Sequence, residues 1–519
     1  METRTRRLGG AGASIVLAIA LGATGCKGKL AGEALAKAEP NDAYANVPPP
    51  PVDGPKLVAL REVAVKARPS AASPTIGTLD LGSVVARSRE PIARGACDGG
   101  WYVVRPRGFV CADAGLVLDE RAARLAPAPP NLERALPFRY ARAKVDNVPL
   151  YARVPTTAEQ IEAEPDLARH APKPLDADPL GASANDVPLD AHLAASGPPV
   201  LLPTGEGIEG GRRTAASFFA FPSEAVAPLL PVSGALGGVK TAGLRKGSGV
   251  ALAGAFAADG RGGVRRFGVT PAGLVVPLDR LKPSLGTTFH GIELEGVGLP
   301  VAFVHHAGVH AYSMQHGKAL RGDDELERRA VVPLTGKFRT VDGVRYDEAR
   351  DGSWLRAKDL VLVVRRSKFP DFARGNQRWL DVSIANQTLT AYEGHKPIYA
   401  TLVSTGRDQL KDPATSASTP RGELRVTAKR VRRALDPREG GGGFDVGDAP
   451  WVLELDGGTD IAGAYWTDGF GEAQTYHDVV LAPIDAHRVW AWATPELPDG
   501  WAAATAAAGG ATTIVNVRP

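Results

Sequence analysis

The stretch Arg378–Gly406, RWLDVSIANQTLTAYEGHKPIYATLVSTG, decides how the end of this chain folds. Leu380, Val382 and Ile384 alternate with polar residues, the period of a strand with one buried face. The run GHKP from Gly394 carries turn chemistry, and Ile398–Gly406 reads as a returning strand. Outward from it, STPRGELRV (Ser418–Val426) uses Pro420 and Gly422 to turn into a further strand. The pattern predicts a mainly β segment.

Further out stand Phe444–Gly471, FDVGDAPWVLELDGGTDIAGAYWTDGFG, and Thr475–Ala486, TYHDVVLAPIDA. With the strands above, these resemble the L,D-transpeptidase (YkuD-type) catalytic domain, over about Gln377 to Pro519. The resemblance implies a β-sandwich-like domain that reshapes peptidoglycan by joining stem peptides. It also implies an S-H-G-C stretch, in which a cysteine thiolate attacks a peptide carbonyl, a histidine keeps it deprotonated and backbone N–H groups hold the oxyanion.

The flanking FG and LAP.DA set the register. Thr475 takes the serine position, Tyr476 the histidine, His477 the glycine and Asp478 the cysteine. Ala462 and Thr467 stand where related sequences often carry histidines. A one-residue slide puts His477 on the histidine but Val479 on the cysteine, so neither register holds a thiol. The expectation is that no residue is catalytic, the degenerate positions being Ala462, Thr467, Thr475, Tyr476, His477 and Asp478. A carboxylate at 478 is a poor nucleophile toward an amide, because the mixed anhydride formed is itself a high-energy acyl donor. Trp451, Tyr465, Trp466 and Tyr476 are candidates for either the cleft lining or the core. Gly440–Gly443, within REGGGGFDV, lacks the context of a phosphate loop and reads as a flap beside the cleft.

The rest of the chain sets the compartment. Its 519 residues suggest roughly three or four domains. Residues 1–26 read as a signal peptide: basic METRTRR, a short apolar run and LGATGC, which resembles a lipobox and implies lipidation of Cys26. Residues 27–56 form a Pro-rich tether. Residues 57–125 resemble a bacterial SH3-like domain, a small barrel in which an exported compartment permits a Cys97–Cys111 disulfide. Residues 132–224 are an uncertain β and loop-rich region, 225–368 one or two small β domains, and 370–519 the L,D-transpeptidase-like domain. His305, His306, His310 and His316 crowd one stretch, but neighbours on a strand point to opposite faces and no carboxylate completes a set, so no metal is expected. No cofactor is expected either.

Formal charge is +4, with 61 basic and 57 acidic residues interspersed, which excludes an electrostatic footprint for nucleic acid. The whole reads as a mainly β, multidomain envelope protein, lipid-anchored to a membrane on the extracytoplasmic side. Its expected partner is peptidoglycan or a wall-remodelling protein, bound without catalysis. The alternative is an active wall transferase or hydrolase that uses a non-thiol mechanism.

Overall fold

The structure, a computed structural model, describes Tyr44 and residues 46–113, 115–119, 129–173 and 240–519. The signal peptide, Cys26 and most of the tether lie outside these residues, as does 174–239. The chain divides into two units, Met1–Ala45 and Asn46–Pro519, and every strand described belongs to the second. The fold is mainly β, in several sheets.

The C-terminal sheet starts from the opening stretch. Arg378–Ser383 pairs antiparallel with Thr388–Glu393, which pairs with Lys396–Leu402. Its other edge takes the last strand, Ile514–Arg518, in parallel. That strand meets the long Gly422–Arg433, which continues onto Ala449–Leu455 and Ala503–Thr505. Asp460–Gly463 follows, with Val479–Leu481 parallel beside it.

Helix Pro483–Trp492 covers this sheet, with Pro483 in its first turn where a missing N–H costs nothing. Ile484, Val489 and Trp490 turn inward. The Asp485 carboxylate is fully buried and accepts from Tyr399 Oη at 2.5 Å, from Gly291 N at 2.8 Å and from Thr401 Oγ1. Burial pushes this carboxyl up to about 6.

Three β units precede this domain in sequence and share its core. The first comprises strands between Lys56 and Val117, with Cys97 and Cys111 bonded as a disulfide and Trp101 buried among core side chains. Its Thr75–Leu79 strand pairs directly with Ala503–Thr505, so one sheet runs from this unit into the C-terminal domain. Trp501 packs into the first unit's core beside Leu57, Val65 and Leu79. Pro50, within the segment read as tether, is buried, and its carbonyl accepts from Arg105 at 2.8 Å.

The second unit joins Arg139–Ala143 and Val148–Tyr151 to strands between Lys240 and Pro283. A buried ionic group holds it together, with Arg265 bridging Glu164 at 2.7 Å and Asp279 at 2.9 Å. Leu136 and Phe138, just ahead of it, and Tyr140 in its first strand enter the C-terminal core. The third is a seven-stranded sheet between Val301 and Val363. There His306 lies 3.3 Å from Asp359, and no three metal-ligating side chains converge among the described residues.

Candidate functional site

The segment Gln474–Asp478 crosses the mouth between two strands. Thr475 bridges Gly406 on one side, and Val480 bridges Ser404 and pairs with Ala462 on the other. Thr475 N–H donates to Thr405 O at 3.1 Å, and its hydroxyl donates to Asp478 O at 2.6 Å, closing a tight loop. Thr475, Tyr476, His477 and Asp478 are therefore gathered at one place. Thr467 reaches it indirectly, donating to Gln474 Oε1 at 3.2 Å. Ala462 is buried in the core beneath the loop.

Asp478, which the sequence register sets at the expected cysteine position, is 6% exposed. Its Oδ1 accepts from the backbone N–H of Asp460 at 2.8 Å and from Thr459 Oγ1 at 3.4 Å. Burial first, then the nearby Glu439 and Asp460 carboxylates, push the Asp478 carboxyl well above the usual carboxylate range. Asp460 is raised to about 6 by its own burial, against the pull of Arg433, whose guanidinium bonds it at 2.7 Å. The Asp478 carboxyl is thus buried and turned onto the Asp460 backbone rather than out of the loop.

His477 is half-buried, and its Nε2 lies 3.0 Å from Ser416 O. The imidazole is thus engaged with the 408–418 loop and forms no pair with the Asp478 carboxyl. Tyr476 stacks on His477 with ring centroids 4.1 Å apart, and Arg438 caps the phenol ring at 4.1 Å. Arg438 Nη1 also donates to Tyr476 Oη at 2.8 Å.

The backbone of this loop has an occupant. Glu439 accepts from Tyr476 N at 2.7 Å, His477 N at 2.7 Å and Asp478 N at 3.1 Å. The glycine run beside it marks a flap in the sequence, but nothing in the sequence ties the preceding glutamate to amides 37 to 39 residues away.

Of the aromatic candidates, Trp451 and Tyr465 belong to the core. The Trp451 indole N–H donates to Ala135 O at 2.7 Å, and Tyr465 stacks on Tyr140 at 4.2 Å. Trp466 is partly buried against that core, and Tyr476 alone of the four is set on the loop.

Residues 377–480 match the family model of the YkuD L,D-transpeptidase catalytic domain. This segment ends two residues past Asp478, so it includes all six positions that the sequence reading singles out. Curated proteins offer no match to the chain. Among solved structures, the chain is similar to an L,D-transpeptidase from Xylanimonas cellulosilytica, at 17% identity over 29% of this chain and 65% of that one, with a TM-score of 0.20. A mutant L,D-transpeptidase of Enterococcus faecium matches at 17% identity over 30% and 55%, TM-score 0.21. One from Stackebrandtia nassauensis matches at 16% over 30% and 62%, TM-score 0.20. The chain thus spans less than two thirds of the length of each.

Proposed function

We propose that this chain is an envelope lipoprotein whose L,D-transpeptidase-like domain binds peptidoglycan, or a protein that remodels it, without catalysing transfer. The observation that carries the reading is Asp478, a buried carboxyl turned onto the Asp460 backbone where the family places its thiol. Sequence composition supports it, since the cysteines are Cys26, Cys97 and Cys111 alone, and the last two are joined to each other. A thioester intermediate has no sulfur to form on. No helix among the described residues is long and apolar enough to cross a membrane. The LGATGC motif supports attachment by acylation of Cys26, and residues 57–125 are taken as an SH3-like module that adds wall contacts.

The test pairs two assays on the full chain. Incubation with a disaccharide tetrapeptide is expected to give no cross-linked product and no acyl adduct by mass spectrometry. Sedimentation with purified sacculi is expected to retain the protein. Turnover that disappears in Asp478→Ala would overturn the reading, as would failure to bind sacculi.

A further inference from the structure

Glu439 is 7% exposed, and no cation pairs with it among the described residues. Its charge is instead met by three consecutive main-chain N–H groups, those of Tyr476, His477 and Asp478. Successive backbone amides that converge on one point form an anion-binding concavity. Hydrogen bonds from such groups to a carboxylate are charge-assisted, and a vacated site leaves its donors unsatisfied.

The segment that delivers Glu439 is tied at its base, and its tip is held by two arginine hydrogen bonds, from Arg245 Nη1 to Gly442 O at 2.7 Å and from Arg438 Nη1 to Tyr476 Oη at 2.8 Å. Leu435 N–H donates to Val446 O at 3.1 Å, and Asp445 is held by Arg245 at 2.6 Å and by Ser248 Oγ, which accepts from its N–H at 2.9 Å. Between these anchors lie the short turn Pro437–Gly440 and the glycine run. Gly441 and Gly442 sit at φ +65° and +77°, where glycine is the favoured residue. Gly443 has neither a positive φ nor a crowded Cβ position, the nearest atom being Gly440 O at 3.8 Å. Glycine there adds freedom to the chain without a packing reason.

The rim is basic. Arg438 and Arg407 lie 4.1 and 5.6 Å from the Tyr476 ring centroid. Arg438 is paired with Asp436, while Arg407 is exposed and has no ion-paired carboxylate among the described residues.

We propose that the amides of Tyr476, His477 and Asp478 form a carboxylate-binding site, that Glu439 is its built-in occupant, and that an incoming carboxylate displaces the Pro437–Gly443 flap. The tether gives Glu439 a millimolar effective concentration or more, so a free carboxylate must exceed that level in the native chain. Removing the Glu439 carboxylate lifts this competition. The site does not require an inert centre: positive turnover would leave it standing, and its failure would leave the reading of Asp478 untouched.

Hydrogen–deuterium exchange on the full chain tests it, with sodium acetate compared against sodium chloride at matched ionic strength. Glu439→Ala is expected to speed exchange across residues 476–478 by roughly tenfold to a hundredfold. Acetate, and not chloride, is expected to restore the protection. In the native chain, high acetate is expected to speed exchange in residues 438–443. N-acetylglycine presents a chain-end carboxylate and glutaric acid monoamide a side-chain one, so the more potent of the two names the source. Protected amides in Glu439→Ala, or acetate no better than chloride, would overturn the proposal. Should Glu439→Ala fail to fold by circular dichroism, Glu439→Gln keeps the bulk with an uncharged acceptor and supplies the same acetate-against-chloride comparison.

Discussion

Lys429 places an ammonium where no carboxylate lies within ion-pairing distance among the described residues. It is 2% exposed, donates to Ala493 O at 3.0 Å, and lies 4.4 Å from the Trp490 ring centroid. These partners are the negative end of helix Pro483–Trp492 and a π face, both weaker than a carboxylate. Burial therefore dominates and pushes the Lys429 ammonium down to about 8. Below that pH, folded and unfolded chains both hold the proton. Between about 8 and 10.5 the folded chain has released it and the unfolded chain has not, so stability rises with pH across that window. Lys429→Met should remove this rise, which amounts to at most about 3 kcal/mol. Urea unfolding of both proteins at several pH values through the window checks it, and parallel curves would contradict it. Asp478 follows the same logic with the opposite charge. Burial pushes its carboxyl up, and its Oδ1 accepts inward from the Asp460 N–H. That the four letters Thr475–Asp478 would cluster was legible, because they are contiguous and LAP.DA sets their register. That the Asp478 carboxyl would bond to Asp460 was not, because it depends on the parallel pairing of two strands separated in sequence.

At the scale of elements, the junction between Thr75–Leu79 and Ala503–Thr505 is the least legible feature. The alternation in each segment marks it as a strand, but pairing between residues more than four hundred apart leaves no local trace. Gly77 is the residue that permits it. A Cβ there would lie 2.3 Å from Ala503 O and 2.3 Å from a Trp501 ring carbon, closer than atoms can approach. The indole N–H of Trp501 also donates to Arg105 O at 2.7 Å, so the ring cannot simply swing away. Gly77→Val is expected to cost about 1–3 kcal/mol through overpacking. Exchange protection should fall first at residues 503–505 and 77–78, where the pairing is broken. Unchanged protection at both segments in the variant would show that the junction adjusts without loss. The opening stretch behaves differently: Arg378–Leu402 forms the hairpins its alternation predicts, because each partner lies one turn away.

At the scale of the molecule, the domain list read from composition treats the chain as successive segments, whereas the core is built across them. Leu136, Phe138, Tyr140, Ala251 and Ala253 share a cluster with Leu380, Val426 and Trp451. Ser284 Oγ donates to Tyr465 O, Gly291 N–H donates to Asp485, and His487 Nε2 meets Leu132 O at 2.7 Å. Burial without a charged partner holds the His487 ring at about 4, so it stays neutral and its contact with Leu132 persists at neutral pH. Residues 132–224 read in sequence as an uncertain β and loop-rich region, yet Leu136, Phe138 and Tyr140 within it are core. Cutting the chain at residue 370 would strip these groups from the C-terminal sheet. Each large apolar side chain removed forfeits about 1.5–3 kcal/mol of burial, and the Leu136, Phe138 and Tyr140 sites lie together. Such a loss is comparable with the 5–15 kcal/mol that stabilises an ordinary domain. A fragment of residues 370–519 should therefore melt well below the full chain, with lower cooperativity and exposed apolar surface. Scanning calorimetry of the two, with dye binding to report exposed surface, decides it. The fragment would have to unfold in one sharp transition at the temperature of the full chain to show that the C-terminal domain stands by itself. Addition of a peptide spanning residues 129–143 should recover part of the difference, because it returns the three side chains to the cluster they leave.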